Sequence, residues 1–232
     1  MNLSIIIPAY NEEKRIDITL SKIKEYLKNK KIKHEIIVVD DGSKDKTAEI
    51  ASKHNAIVIK NKQNSGKGFS VKKGFLNSKY DYVLFTDADL STPIEELDKF
   101  LPHLKNYDII IGSRRLKDSN VVQKQKIFRV IAGNIFPLLV SIIMPLGIKD
   151  TQCGFKLFNR KKCLKIFKKL TIKRFSFDVE LLYLAKKYNL KIKEVGINWY
   201  NNSLSKVKFF KDAFNMFIDI IKIRVNDIKK YY

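Results

Sequence analysis

A chain of 232 residues, 45% hydrophobic and 30% charged, is long enough to bury a substantial core and describes a soluble or peripheral globular protein. Its two cysteines, Cys153 and Cys163, are too few and too unpatterned for a disulfide scaffold or a zinc site, and they fit a reducing compartment. The formal charge of +22 predicts anionic partners, whether nucleic acid, acidic lipid or phosphorylated substrates, and does not choose among them.

Residues 3–8 (LSIIIP) read as a buried strand stopped by a proline, too short and without the preceding basic region of a cleavable signal. Ile16, Leu20, Ile23 and Leu27 then follow helical spacing, with Lys and Glu on the outer face. Residues 35–39 predict a second buried strand, broken by Asp40-Asp41-Gly42-Ser43. A short helix at 46–54 and a third strand at 56–59 follow. Asn64-Ser65-Gly66-Lys67-Gly68 opens another helix, which leads to the strand ending at Asp87. Pro93 suits a first helical turn, with Glu95 and Glu96 near the positive end of the helix dipole, and residues 107–112 make a fifth strand. Strands that alternate with helices and are apolar throughout predict an α/β fold, with a mostly parallel sheet covered on both faces.

Beyond Arg115 the pattern changes. Residues 130–148 contain 19 uncharged residues, a length that raises a membrane span. Asn134, Pro137 and Pro145 interrupt the run and Arg129 abuts it, so a helix at the membrane interface or packed in the core is the expectation. A further strand at 153–158, an amphipathic helix at 177–188 and a strand at 191–199 follow. Residues 206–232 predict a long helix. Lys208, Asp212, Asn215, Asp219, Lys222 and Asn226 form its polar stripe, and Phe209, Phe210, Phe214, Phe217, Ile221 and Val225 a wide apolar face. Docking on the domain and lying on a membrane surface both remain open for it.

The chemistry concentrates in acids. Ligands of open parallel sheets bind beyond the carboxyl ends of the strands, and residues 8–13, 40–43, 87–91 and 112–115 all fall there. Asp87 and Asp89 close an apolar strand, and in extended backbone such a pair projects to one side. Two close carboxylates repel unless a cation or proton sits between them. A hard divalent ion shared with substrate phosphates resolves the repulsion. Gly66-Lys67-Gly68 lacks the early glycine and the hydroxyl residue of a phosphate loop, and a dinucleotide fingerprint would need a glycine at Val71. A nucleic-acid-binding module would account for the charge. It would not account for acids gathered at strand ends, and no basic-aromatic stacking pattern supports it.

Pro8-Ala9-Tyr10-Asn11-Glu12, Val39-Asp40-Asp41-Gly42-Ser43, Gly66-Lys67-Gly68, Asp87-Ala88-Asp89 and Gly112-Ser113-Arg114, in this order, resemble the family 2 glycosyltransferases of the GT-A (Rossmann-like) fold. Asp150-Thr151-Gln152-Cys153-Gly154-Phe155-Lys156-Leu157-Phe158, Phe177-Asp178-Val179-Glu180-Leu181-Leu182, Glu194-Val195, Asn198-Trp199 and Ser205-Lys206 narrow the resemblance to the dolichyl-phosphate β-glucosyltransferases, close relatives of the mannose synthases that use the same acceptor.

The resemblance implies a GT-A domain over residues 1–205, an interfacial helix region at about 123–148 and a C-terminal amphipathic helix at 206–232. It implies an inverting, Mg²⁺- or Mn²⁺-dependent transfer of glucose from UDP-glucose to a polyprenyl or dolichyl phosphate, with GDP-mannose as the alternative donor. The enzyme would work at the cytoplasmic face of a membrane, alone or on a membrane-protein partner, without nucleic acid. Pro8, Ala9, Tyr10, Glu12, Asp41, Lys67 and Ala88 would hold the donor, with Asp41 at the base edge. Asp87 and Asp89 would hold the metal and the diphosphate. Arg114, Arg129, Arg174 and Lys206 would meet the acceptor phosphate, and Arg114 would share in catalysis with the acidic pair. Asp178 and Glu180 are expected either to assist or to serve their own helix. The chain's counterparts in nucleated cells usually begin with a membrane span, which is not expected here. This chain departs from the mannose synthases at Ser91, where they often carry glutamine, and at Asn201 and Asn202, near which they carry an arginine.

Overall fold

The computed structural model describes residues 1–122, 143–200 and 209–232. Strand β1 (Asn2–Ala9) leads through helix α1 (Ile16–Asn29) to β2 (Lys33–Asp40), then through α2 (Thr47–Lys53) to β3 (Ile57–Lys60). Helix α3 (Lys67–Asn77) returns the chain to β4 (Tyr82–Thr86), on the other side of β1. Where a helix was expected after Pro93, two 3₁₀ turns form instead, Ile94–Lys99 and Leu101–His103. Pro102, without an amide N–H, stands inside the second and limits regular helix there. Then come β5 (Ile109–Ser113) and a short β6 (Asn120–Val121). After residue 143 the described chain contains β7 (Phe155–Asn159), α4 (Arg160–Lys169), α5 (Phe177–Lys187), β8 (Ile192–Gly196), β9 (Asn198–Trp199) and α6 (Phe209–Ile228).

Seven strands form one sheet in the order β3-β2-β1-β4-β7-β5-β8. All neighbours run parallel except β7, which lies antiparallel to both β4 and β5. The expected mostly parallel sheet is present, with one reversed strand that local sequence does not announce. The strand expected over 191–199 divides into β8 and β9, and β9 pairs with β6 in a separate two-stranded ribbon.

Alternation along the strands feeds two cores. Ile6, Ile37, Val39, Val83, Phe85 and Ile111 face the layer of α3, α4 and α5, while Ile5, Ile7, Val38, Leu84 and Leu157 face α1 and the 3₁₀ turns. Phe75 of α3 stacks on Phe167 of α4, with ring centroids 3.6 Å apart. Gly74 lets α3 lie close to the sheet, because a Cβ there would meet Ile6 Cγ2 at 2.4 Å.

Of the two expectations left open for the last helix, docking on the domain is what α6 shows. It docks through Ile220 and Ile223, but also through residues of its polar stripe. Buried Asp219 lies 3.4 Å from Arg174, and Asn226 donates to Thr171 and to the Tyr232 hydroxyl. Phe214, Phe217, Ile218, Ile221, Val225 and Ile228 are exposed. Among the described residues no helix is long and apolar enough to cross a membrane.

Candidate active site

The strand order places a switch point between β1 and β4, since the chain winds outward from β1 through β2 and β3 and then crosses back. Pro8 and Ala9 end β1 at this edge, and the turn after them is sewn to the segment after β2. The Asn11 amide donates to Ser43 Oγ at 2.9 Å, the Lys44 amide to Asn11 Oδ1 at 2.8 Å, and the Glu12 amide to Thr47 Oγ1 at 2.7 Å. Asn11 holds a left-handed φ of 53°, a conformation that asparagine tolerates better than most residues. Beside this turn opens a cleft of about 1010 Å³, lined in part by Tyr10, Asp40, Gly42, Ser43, Asn61 and Gln63.

Asp41, expected at the base edge, does not line that cleft. Its buried carboxylate accepts from Asn61 Nδ2 at 2.7 Å and from the amides of Ser65 and Gly66 at 2.9 and 2.8 Å. It therefore fixes the loop before α3, and Asp40 stands on the cleft side. The same loop needs Gly66, whose φ is 102° and whose Cβ would strike the Lys173 carbonyl at 2.4 Å.

Asp87 and Asp89 stand in a turn just past Thr86, not on the strand itself, so strand alternation does not set their directions. Other contacts do. Lys67, at the first turn of α3, holds Asp87 Oδ1 at 2.7 Å, and the Asp87 amide donates to the Gly154 carbonyl at 3.2 Å. The Ser91 amide holds Asp89 Oδ1 at 2.9 Å, and Thr19 of α1 donates to the Ala88 carbonyl at 2.7 Å. Burial alone would lower the Lys67 ammonium, but Asp87, Asp178 and Asp89 outweigh it and keep the group charged.

No set of three or more His, Cys, Asp or Glu among the described residues forms a metal cage of its own. Two hard carboxylates fit a Mg²⁺- or Mn²⁺-like ion whose remaining ligands are phosphate oxygens and water. Gly154 leaves room for the arrangement, since a Cβ there would fall 1.9 Å from Asp87 Oδ2.

Arg114 follows β5 at the same edge. Its Nε and Nη2 form a paired contact with Asp150 at 2.7 and 2.8 Å, and its guanidinium lies 5.5 Å from the Trp199 ring centroid. Arg174 is half exposed on the loop between α4 and α5, where it reaches Asp219. Arg129 and Lys206 lie outside the described residues.

Three residues received no role from the sequence, although two of them, Gly154 and Lys156, lie within the motif at 150–158. Gly154 abuts Asp87 because β7 begins, rather than ends, at the site edge. Lys156, fully buried on β7, donates at 2.5 Å to Asp178 and to the Cys153 carbonyl, directly beneath the acidic turn. Asp178 thereby belongs to the site's underside, while Glu180 is structural: it accepts from Thr171, Ile172 and the Tyr232 hydroxyl. Arg15 is the third, joining Glu12 at 2.5 Å and approaching Asp89 at 4.0 Å. The signal for Lys156 was a lysine amid the apolar alternation of a strand. Nothing local marks Arg15.

The family model described as Glycosyl transferase family 2 matches residues 4–167. The chain is 41% identical to a dolichyl-phosphate beta-glucosyltransferase of Dictyostelium discoideum, over 96% of this chain and 73% of that one. It is 35% identical to the human protein of the same description, over 96% and 75%. Among solved structures, mannosyl-3-phosphoglycerate synthase from Rubrobacter xylanophilus superposes with a TM-score of 0.75 at 17% identity, over 99% of this chain and 74% of that one. Glucosyl-3-phosphoglycerate synthase from Mycobacterium tuberculosis, crystallised with Mn²⁺, UDP and glucosyl-3-phosphoglycerate, gives 0.71 at 18% identity over 97% and 79%. These two likenesses speak to fold alone.

Proposed function

The chain belongs to glycosyl transferase family 2, and on that footing we propose that it moves a glucosyl group from UDP-glucose to a dolichyl-type polyprenyl phosphate. The observation that carries the reading is the placement of Asp87 and Asp89 at the switch point, with Glu12 on one side and Lys67 on the other. Relatives named for glucosyl transfer to dolichyl phosphate supply the sugar and the acceptor.

The residues divide the work. Pro8, Ala9, Tyr10 and Glu12 border the nucleoside, and Asp41 acts at one remove by fixing the loop before α3. Asp87 and Asp89 would hold a divalent ion, which when bound neutralises charge on the departing diphosphate. Lys67, paired with Asp87, would add a fixed positive charge at the same turn. The acceptor needs no protein base, because a phosphate monoester with a second pKa of about 6 is already a dianion near neutral pH. Its oxygen forms a bond to the anomeric carbon as the bond to UDP breaks, and UDP leaves with the electron pair. A single displacement inverts the centre and gives a β-linked lipid-phosphate glucose from an α-linked donor. Arg114 and Arg174, with Arg129 and Lys206 beyond the described residues, are the cations offered to the acceptor phosphate.

We place the protein on the cytoplasmic surface of a membrane. The exposed apolar face of α6 and the chain's strong positive charge support that placement. The test is to incubate the protein, Mn²⁺ and polyprenyl-phosphate vesicles with a panel of labelled sugar nucleotides. Lipid-linked label from UDP-glucose alone is expected. Label from GDP-mannose instead, or transfer only to soluble acceptors, would overturn the assignment.

A further inference from the structure

Arg15 caps the start of α1, where it occupies a position between the two halves of the site. Its Nε and Nη2 grip Glu12 Oε2 at 2.7 and 2.5 Å, and its Nη1 points toward Asp89 Oδ2 at 4.0 Å. That distance is an ionic approach, too long for a hydrogen bond. Nη1 is buried and has no hydrogen-bond partner among the described residues. One helical turn later, on the same face of α1, Thr19 donates at 2.7 Å to the carbonyl of Ala88, the residue between the two aspartates. The first turn of α1 therefore touches the acidic turn twice, once by charge and once by hydrogen bond. Through Arg15 it also touches the carboxylate of Glu12, which follows β1.

Asp89 is thus oriented from both oxygens, Oδ1 by the Ser91 amide and Oδ2 by the field of Arg15. The turn that carries it is strained, because Leu90 adopts a φ of 47°, which is uncommon for a residue with a bulky side chain. A strained turn needs outside contacts to keep its shape, and α1 provides them. We propose that Arg15 is a positioning residue, assisted by Thr19, that locks the metal-side carboxylate Asp89 to the nucleoside-side carboxylate Glu12, so that a divalent cation and the nucleotide bind cooperatively. The inference rests on the reading of Asp87 and Asp89 as the metal pair.

The cooperativity is directly measurable. The affinity of UDP is determined by calorimetry with and without Mn²⁺ for the wild-type chain, R15Q, R15K, T19V and D89N, with thermal unfolding as a check on folding. Wild type should bind UDP more tightly when Mn²⁺ is present. In R15Q that enhancement should shrink by about tenfold, within the usual range of coupling between sites, while UDP affinity without metal changes less. R15K keeps the charge but not the planar fork, and should recover only part of the coupling. T19V should lose some of it too. If R15Q fails to fold, R15K and T19V carry the test in the same direction. An undiminished enhancement in the folded arginine and threonine variants, alongside its loss in D89N, would overturn the role of Arg15 and leave the metal pair standing. An undiminished enhancement in D89N would remove the metal pair itself.

Discussion

Lys156 and Asp178 form a fully enclosed ion pair at 2.5 Å beneath the acidic turn. The Phe85 ring is shared between this lysine and Lys67, whose ammonium groups lie 5.8 and 5.3 Å from its centroid. Burial pushes the Asp178 carboxyl up, against the pull of Lys156 and Lys67. Lys156 is fully buried, whereas Lys67 keeps part of its side chain exposed where it pairs with Asp87.

Removing one partner of such a pair leaves an uncompensated buried charge. Lys156→Met should cost about 3–5 kcal/mol of stability, measured by denaturant unfolding. The double variant K156M/D178L should recover most of that loss. A double variant as unstable as the single one would show that the damage is packing, not charge.

Asp89→Ala should reduce transfer by at least about 10²–10³-fold with the fold retained, because its carboxylate is partly exposed and its contacts are the Ser91 amide and the 4.0 Å approach of Arg15. Steady-state rates and the unfolding midpoint test this together. Retained activity would refute the metal assignment.

Gly154→Ala separates geometry from charge. The added methyl would fall 1.9 Å from Asp87 Oδ2 and must push that carboxylate aside. A displacement of about an ångström can cost about 10²-fold in rate. We expect that loss in kcat with Asp87 and Asp89 both still present in the chain.

Asp150 sets an acid limb. Burial alone would raise its carboxyl, but the charge and hydrogen bonds of Arg114 outweigh burial and hold it at about 2. The folded value lies below the unfolded one of about 3.9. Its stabilisation is therefore complete above about pH 4 and is lost as pH falls toward 2. Asp150→Asn should flatten that limb of the acid-unfolding curve and cost about 2–3 kcal/mol at neutral pH.

The outward face of α6 predicts membrane attachment without a role in folding. Exchanging Phe217, Ile221 and Val225 for serine should leave thermal unfolding nearly unchanged, since all three side chains are exposed. At about 1.5 kcal/mol for each side chain withdrawn from water, sedimentation with anionic vesicles should fall well over tenfold.

The strands and the acidic pair were legible because burial on both sheet faces writes itself as uninterrupted apolar runs, as in Ile5-Ile6-Ile7 and Val83-Leu84-Phe85. Helix α4 was missed because Arg160, Lys161 and Lys162 crowd its start, leaving Cys163, Ile166 and Phe167 to carry the pattern. The direction of β7 is decided by partners remote in sequence, Thr86 against Phe155, and no local period encodes it. On α6, hydropathy suggested that Asp219 and Asn226 face water. The domain instead offers them Arg174 and Thr171, beside the docked Ile220 and Ile223. Arg15 was invisible for the same reason as β7, because its second carboxylate arrives from a distant turn.

The lone antiparallel strand carries an evolutionary consequence. Because β7 enters the sheet beside Asp87, extra residues spliced in just upstream of Phe155 would land beside the acidic turn, whereas residues spliced in after Asn159 would emerge at the far edge. On the proposed function, rewriting that single connection would change what faces the metal pair while leaving β1, β2 and the helix between them untouched.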